Sequence, residues 1–315
     1  MTASSTKQHC AFRSRLGKEC QFQGQRGLID FEDQTWCDLH LPLGAKGHWR
    51  ENKLKDFSAH VLHRIREAKK AGQAVDLTGV VIPGDIDVTE FSSKPKALPE
   101  IHFEESTFGG GARFNGVFFA GDAHFDNAIF VGKAEFDNAQ FHHTAWFRNA
   151  KFKRAARFIS TQFQGQARFA LAIFEGVARF ETAQFKGHAR FYRATFSDAN
   201  FLEGHFHSIA SFYKARFGLS NFGSRRFQDV ASFIKARFSR DAKFPSAQFS
   251  KETSFNHATF LNKALFSVSV FRGTARFDGS TFLGNANFLD AEFAAGAVFE
   301  GAVFRAEADL SSSEP

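Results

Sequence analysis

Three cysteines and a histidine near the start of the chain are the residues best suited to chemistry. Cys10, Cys20, Cys37 and His40 follow the spacing C-x9-C-x16-C-x2-H. Three thiolates and an imidazole form a tetrahedral ligand set for Zn2+, and four protein ligands leave no open position for catalysis. The expected zinc is therefore structural. It would also let a segment of about 30 residues fold without a core of its own. The competing reading is three incidental thiols, and an odd count argues against a disulfide framework. Elsewhere there is no Gly-rich phosphate loop, no G-x-S-x-G and no H-E-x-x-H. The 13 His are scattered, and His142 and His143 flank no matched carboxylate pair. A non-enzymatic protein with no small-molecule substrate is expected.

The elements that must position these groups are set by phenylalanine. The 315 residues hold 44 Phe against 2 Tyr, 3 Trp and 1 Met, so one type of position recurs many times. From Phe103 to Phe304, 38 Phe follow one another at intervals of five or six that mostly alternate, giving a period of 11. Two residues before each Phe stands a small residue, Ala in 28 of the 38 cases. A helix would place Phe at 0 and 5 about 140° apart, with no common stripe. One long strand fails because a spacing of five reverses the face. A chain that turns a corner every five or six residues satisfies both intervals. Phe and the Ala before it then point inward, the residue between them points out, and four corners close a coil of 22. Coils stacked about 4.8 Å apart pair as parallel strands.

This pattern resembles the pentapeptide-repeat family, whose Ala-x-Leu/Phe-x-x units build a right-handed four-sided β-solenoid. The alternation of five and six departs from a strict 20-residue coil. Thirty-eight corners predict a mainly β rod of nine to ten coils. In the metal segment, the Cys37-x2-His40 half resembles a treble-clef or knuckle site. Residues 75–88 already read in the repeat register, with Leu77, Ile82 and Val88 in the central positions, and 92–99 (SSKPKALP) reads as an interrupting loop. Upstream, Leu54, Phe57, Val61, Ile65 and Ala68 share one helical face, which predicts a helix that caps the first coil. The expected organisation is a zinc segment at 1–48, a capping helix at 49–74, a solenoid at 75–310 and a tail at 311–315.

Stacking the outward positions at 22-residue intervals aligns Trp146, Arg168 and Arg190 in one column. Arg148, Tyr192 and Tyr213 lie in the next, and Arg193, Lys214 and Lys235 follow. These residues form an aromatic–basic stripe. Residues 148–243 carry 18 Lys/Arg against 6 Asp/Glu, a balance of +12, whereas 101–147 carries −4 and 244–310 carries −2. Such a waist attracts nucleic-acid phosphates, an anionic membrane surface or an acidic protein, unless it only keeps the rod soluble. The interval also stays at five where six is due across Phe196–Phe201–Phe206 and Phe217–Phe222–Phe227, so two successive coils each lack one residue. The inward positions that follow hold Gly204 and Arg225 in place of Ala, and Arg225 needs the room left by Gly204 or an outward turn. The pair forms either a tolerated deletion or a docking notch.

The leading expectation is a binding scaffold that presents the rod to a macromolecule. A nucleic-acid role would stack bases on Trp146, Tyr192 and Tyr213 and hold phosphates with the arginines, with the zinc segment as a second contact. Family resemblance implies DNA mimicry toward type II topoisomerases, which requires an acidic rod, and this one is basic. A third reading is a self-assembling rod, with a homodimer through the C-terminal coil. No run of about 20 apolar residues suggests a membrane span. The opening MTASSTKQHC lacks the apolar stretch of a signal peptide, so a cytoplasmic protein is expected.

Overall fold

The computed structural model describes residues 10–15, 17–20 and 29–309, so the expected 311–315 tail lies outside the described residues. From Val75 onward the chain runs as a four-sided parallel β-solenoid. Each side contributes a short strand that pairs with its counterpart one coil on, as Ala123 does with Ala145 and His124 with Trp146. The expected inward–outward alternation holds: Ala123, Phe125, Ala145 and Phe147 are fully buried, while His124 and Trp146 are part-exposed.

Aromatic packing explains why Phe recurs. Along the axis the rings stack nearly parallel, Phe125 on Phe147 at 4.9 Å and 3°, and Phe147 on Phe169 at 4.8 Å and 0°. Across the bore they meet edge to face, Phe136 against Phe147 at 5.5 Å and 89°. Both arrangements suit the ring quadrupole. The few polar residues at inward positions are mostly satisfied by the coil below: Ser106 Oγ donates to the Leu77 carbonyl at 2.9 Å and Thr161 Oγ1 to that of Phe136 at 2.7 Å.

Side one comprises eleven strands, from Val75–Asp76 to Ala297–Val298. The rod therefore has about 11 coils and not nine to ten. A count of Phe misses the first coil, where Leu77, Ile82, Val88 and Leu98 occupy the Phe positions with no exposure. The expected loop at 92–99 lies within that coil. Val75 pairs with Ile101, 26 residues on, whereas Ile101 pairs with Ala123, 22 residues on. The excess forms two 3-10 turns, Thr89–Phe91 and Lys94–Lys96, before Leu98 rejoins the ladder beside Phe119.

The shortened coils also appear. Arg216 pairs with Thr195 and with Arg237, 21 residues away in each direction. Loss of a residue draws one corner straight, giving the continuous strands Thr195–Asn200 and Arg216–Asn221; with Ile173–Arg179, which keeps the six-residue interval, they join sides two and three into one sheet. A register shift between Phe174 and Val177 absorbs the difference from the coil below.

A one-turn helix, α1 (Leu43–Lys46), precedes α2 (Glu51–Lys70). Helix α2 buries Phe57, Val61 and Ile65 and covers the first coil, with Leu54 and Ala68 less buried on the same side. Ser58 Oγ donates to the Asp85 carbonyl at 2.7 Å, which gives part of the coil's open edge a partner. Lys46 pins the two layers together. Its ammonium donates to the Val81 carbonyl at 2.6 Å and sits 4.1 Å over the Phe57 ring. Burial, opposed by Asp38 and Cys37, depresses its pKa to about 7.

Candidate metal centre and basic stripe

Cys10, Cys20, Cys37 and His40 converge into one buried group whose ligand atoms all lie within 4.8 Å of one another. Cys20 Sγ is 3.7 Å from Cys37 Sγ, Cys37 Sγ is 3.3 Å from His40 Nδ1, and Cys10 Sγ is 3.7 Å from the same nitrogen. Zinc–sulfur bonds of about 2.3 Å in a tetrahedron set sulfurs about 3.8 Å apart, so the donor set fits a metal of that size. The second shell is present as well. His40 Nε2 lies 3.0 Å from the Thr78 carbonyl, which assigns Nδ1 to the centre. Phe12 stacks on the imidazole at 4.0 Å. Gly79, at φ +72°, leaves space for that ring, because a Cβ there would fall 2.0 Å from Phe12 Cζ. Hydrogen bonds from Cys20 and Cys37 hold the Cys10 thiol far below its ordinary pKa. Burial works against protonation of His40, yet hydrogen bonds with Cys10 and Cys37 push it up to about 9. A thiolate at Cys10 is the form that binds metal, whereas His40 must release its Nδ1 proton to ligate. Thr78, Gly79 and Phe12 had no motif to mark them; their roles depend on the first coil docking against the segment.

All nine residues of the aromatic–basic stripe lie on side one or on the turn that follows it. Trp146 pairs with Arg168, Arg168 with Arg190, and Arg190 with Ser211 along successive coils. Arg193, Lys214 and Lys235 all occupy the left-handed turn position, with φ of 52°, 55° and 56°. Arg148 pairs with Asp126 at 3.8 Å. By contrast Arg168, Arg190, Arg193, Lys214 and Lys235 make no ion pair among the described residues. Burial, with Arg190 and Arg148 nearby, lowers the Arg168 pKa. The aromatic residues of the stripe stack on their neighbours. Tyr192 and Tyr213 stack on each other at 5.7 Å and 5°, and Trp146 lies between His124 at 5.7 Å and the Arg168 guanidinium at 4.1 Å. Each tyrosine covers one face of the other while Tyr192 stays 37% exposed, so the stripe presents aromatic surface as well as positive charge.

Arg225 points into the bore with no exposure. Its guanidinium occupies the space beside Gly204, where a Cβ would lie 2.5 Å from Nη1. It packs over the Phe201 and Phe206 rings at 5.1 and 4.9 Å. None of its three side-chain nitrogens has a hydrogen-bond partner among the described residues. Burial, opposed by Glu181, pulls its pKa well below the ordinary value. Of the two ways to place this arginine, the structure takes the inward one that depends on Gly204.

The model of the family described as pentapeptide repeats (9 copies) matches residues 99–140, 136–184 and 266–314. The matched segments fall on the Phe-centred coils. The solenoid is built of pentapeptide repeats. The matched segments leave out 185–265, the stretch that holds both 21-residue coils and Arg225. No curated protein and no solved structure matches the chain. Among the described residues, no helix of this chain is long and apolar enough to cross a membrane.

Proposed function

We propose that this chain is a non-enzymatic scaffold whose unpaired basic stripe binds the backbone of a nucleic acid. The observation that carries this reading is the state of the five cations on side one. They stand on adjacent coils without carboxylate partners among the described residues, although stacked like charges repel and side three pairs Arg113, Arg157 and Arg179. Contact runs first through phosphates, so duplex and single strand should both bind without sequence preference. In the same reading the Cys3His group holds structural zinc and fixes the N-terminal segment against the turn that begins the stripe. The Arg15 backbone N–H donates to Glu105 at 2.8 Å, and its guanidinium to Asn127 at 3.1 Å.

The test is fluorescence anisotropy of a labelled duplex and a single-stranded oligonucleotide over a salt series. The comparison protein is the R168A/R190A/R193A/K214A variant. Support would be binding to both ligands with log K falling by roughly 3 to 5 per decade of salt, and loss of most of that slope in the variant. No binding at low salt would sink the proposal. Binding of an acidic protein in its place would reassign the stripe to a protein partner.

A further inference from the structure

Two histidines one coil apart meet two glutamates on the outer surface of side one. His102 and His124 are strand partners, and their rings lie parallel at 4.5 Å and 9°. Glu104 faces one edge of this stack: its Oε1 is 3.0 Å from His102 Nδ1 and 3.8 Å from His124 Nδ1. Glu100 faces the opposite edge, with Oε1 at 3.3 Å from His102 Nε2 and 3.2 Å from His124 Nε2.

The tautomer of the two rings decides what this arrangement can hold. Neutral imidazoles that direct Nδ1–H at Glu104 present only lone pairs at Nε2. Each lone pair then aims at a carboxylate oxygen, so three acceptors converge on one point. A proton on either Nε2 would instead donate to Glu100, and it competes with a metal ion for that point. A cation between the three atoms satisfies all of them.

We propose that Glu100, His102 and His124 form a second divalent transition-metal site, separate from the cysteine cluster. Their ligand atoms lie within 4.8 Å of one another, a spread that one ion spans. Two imidazoles and a carboxylate favour zinc, cobalt, nickel or copper over calcium or magnesium, which take oxygen ligands. Glu104 is the positioning residue. It holds the Nδ1 edges as a carboxylate behind metal-bound histidines does, and its own Oε2 is buried without a hydrogen-bond partner among the described residues. The Glu100 side chain is 48% exposed, so the ion has an open coordination position toward solvent. A metal here staples two successive coils and can accept one further ligand from a partner.

Trp146, stacked on His124 at 5.7 Å, supplies the reporter. The experiment titrates Co2+ into the zinc-loaded full chain and reads tryptophan emission together with cobalt bound per chain. The thiolate-to-cobalt absorption band, read in the same samples, shows any exchange at the cysteine cluster. The expected result is saturable quenching with one additional equivalent bound. W146F should lose the quenching but keep the equivalent. H102A/H124A should lose both, and E100A should bind at least tenfold more weakly. E104Q should keep the stoichiometry and weaken binding 10- to 100-fold, the usual effect of removing an outer-shell carboxylate. All four changes are on the surface, and unchanged circular dichroism and melting would show that each variant is folded. Equal quenching and equal bound cobalt in H102A/H124A and the natural chain would overturn the proposal, as would an absence of saturable binding in the natural chain.

Discussion

Sides one and three of the rod carry arginines at the same repeat position but treat them differently. On side three Arg157 donates to Asp137 through Nε at 2.8 Å, and Arg179 to Glu181 at 2.8 Å. On side one Arg168 and Arg190 have no carboxylate among the described residues. The difference lies in the column just after each Phe. Side three places Asp137 and Glu181 there, whereas side one places Ala170 and Tyr192. Towards both ends of side one the pairing returns, with Glu104 beside His102 and Asp278 beside Arg276 at 2.8 Å. On side one, among the described residues, the arginines without a carboxylate therefore fall at the waist. A solubilising surface has no need of that restriction, since paired and unpaired charges both keep a rod in solution.

The largest expected effect tests the two sides directly. R168A/R190A/R193A/K214A should lose about 100-fold in oligonucleotide affinity, about 2.7 kcal/mol. R157A/R179A should stay within about threefold of the natural chain in the same anisotropy titration. Equal losses would erase the distinction between the sides.

The comparison extends inward, because Arg225 is buried with no hydrogen-bond partner among the described residues. Replacing a buried charge with an apolar group of similar volume commonly stabilises, so R225M should raise the unfolding free energy by about 2 kcal/mol in a denaturant melt. A loss of stability would mean that the Phe201 and Phe206 rings compensate the guanidinium fully. G204A should destabilise by about 1–3 kcal/mol through overpacking, and that cost should vanish in an R225A background.

Side one can also be made to resemble side three. A170E sets a carboxylate beside Arg168 in the position that Glu181 holds beside Arg179. It should lower oligonucleotide affinity about tenfold, or about 1.4 kcal/mol, without lowering the melting temperature. The smallest effect is the converse. D137N removes the partner of Arg157 and weakens the bond that Asp137 Oδ1 accepts from the Ile159 N–H at 3.0 Å. It should cost about 1 kcal/mol of stability and raise affinity at most twofold.

Much of this was readable before any coordinates. The Phe and Ala columns specify which side chains enter the bore, and the charge columns already showed a basic waist. The Cys and His spacing indicated a metal site. The coil count fell short because Leu77, Ile82, Val88 and Leu98 do the work of Phe without resembling it. The aromatic part of the stripe was legible only in its placement. Column alignment shows that Tyr192 and Tyr213 are neighbours, but not that their faces close on each other.

The sequence by itself determined the coil, because a strict spacing of five and six admits one way to bury every Phe, and the side-chain alternation then follows from strand geometry. Tertiary structure alone decided which polar groups meet. Thr78 reaches His40 across 38 residues, Glu100 reaches His124 across 24, and Arg225 settles over Gly204. Such contacts depend on how the cap seats on the first coil and on which rotamer each side chain takes in the space its neighbours leave. No periodicity encodes either, since each is set by atoms that the chain brings together only after the rod has closed.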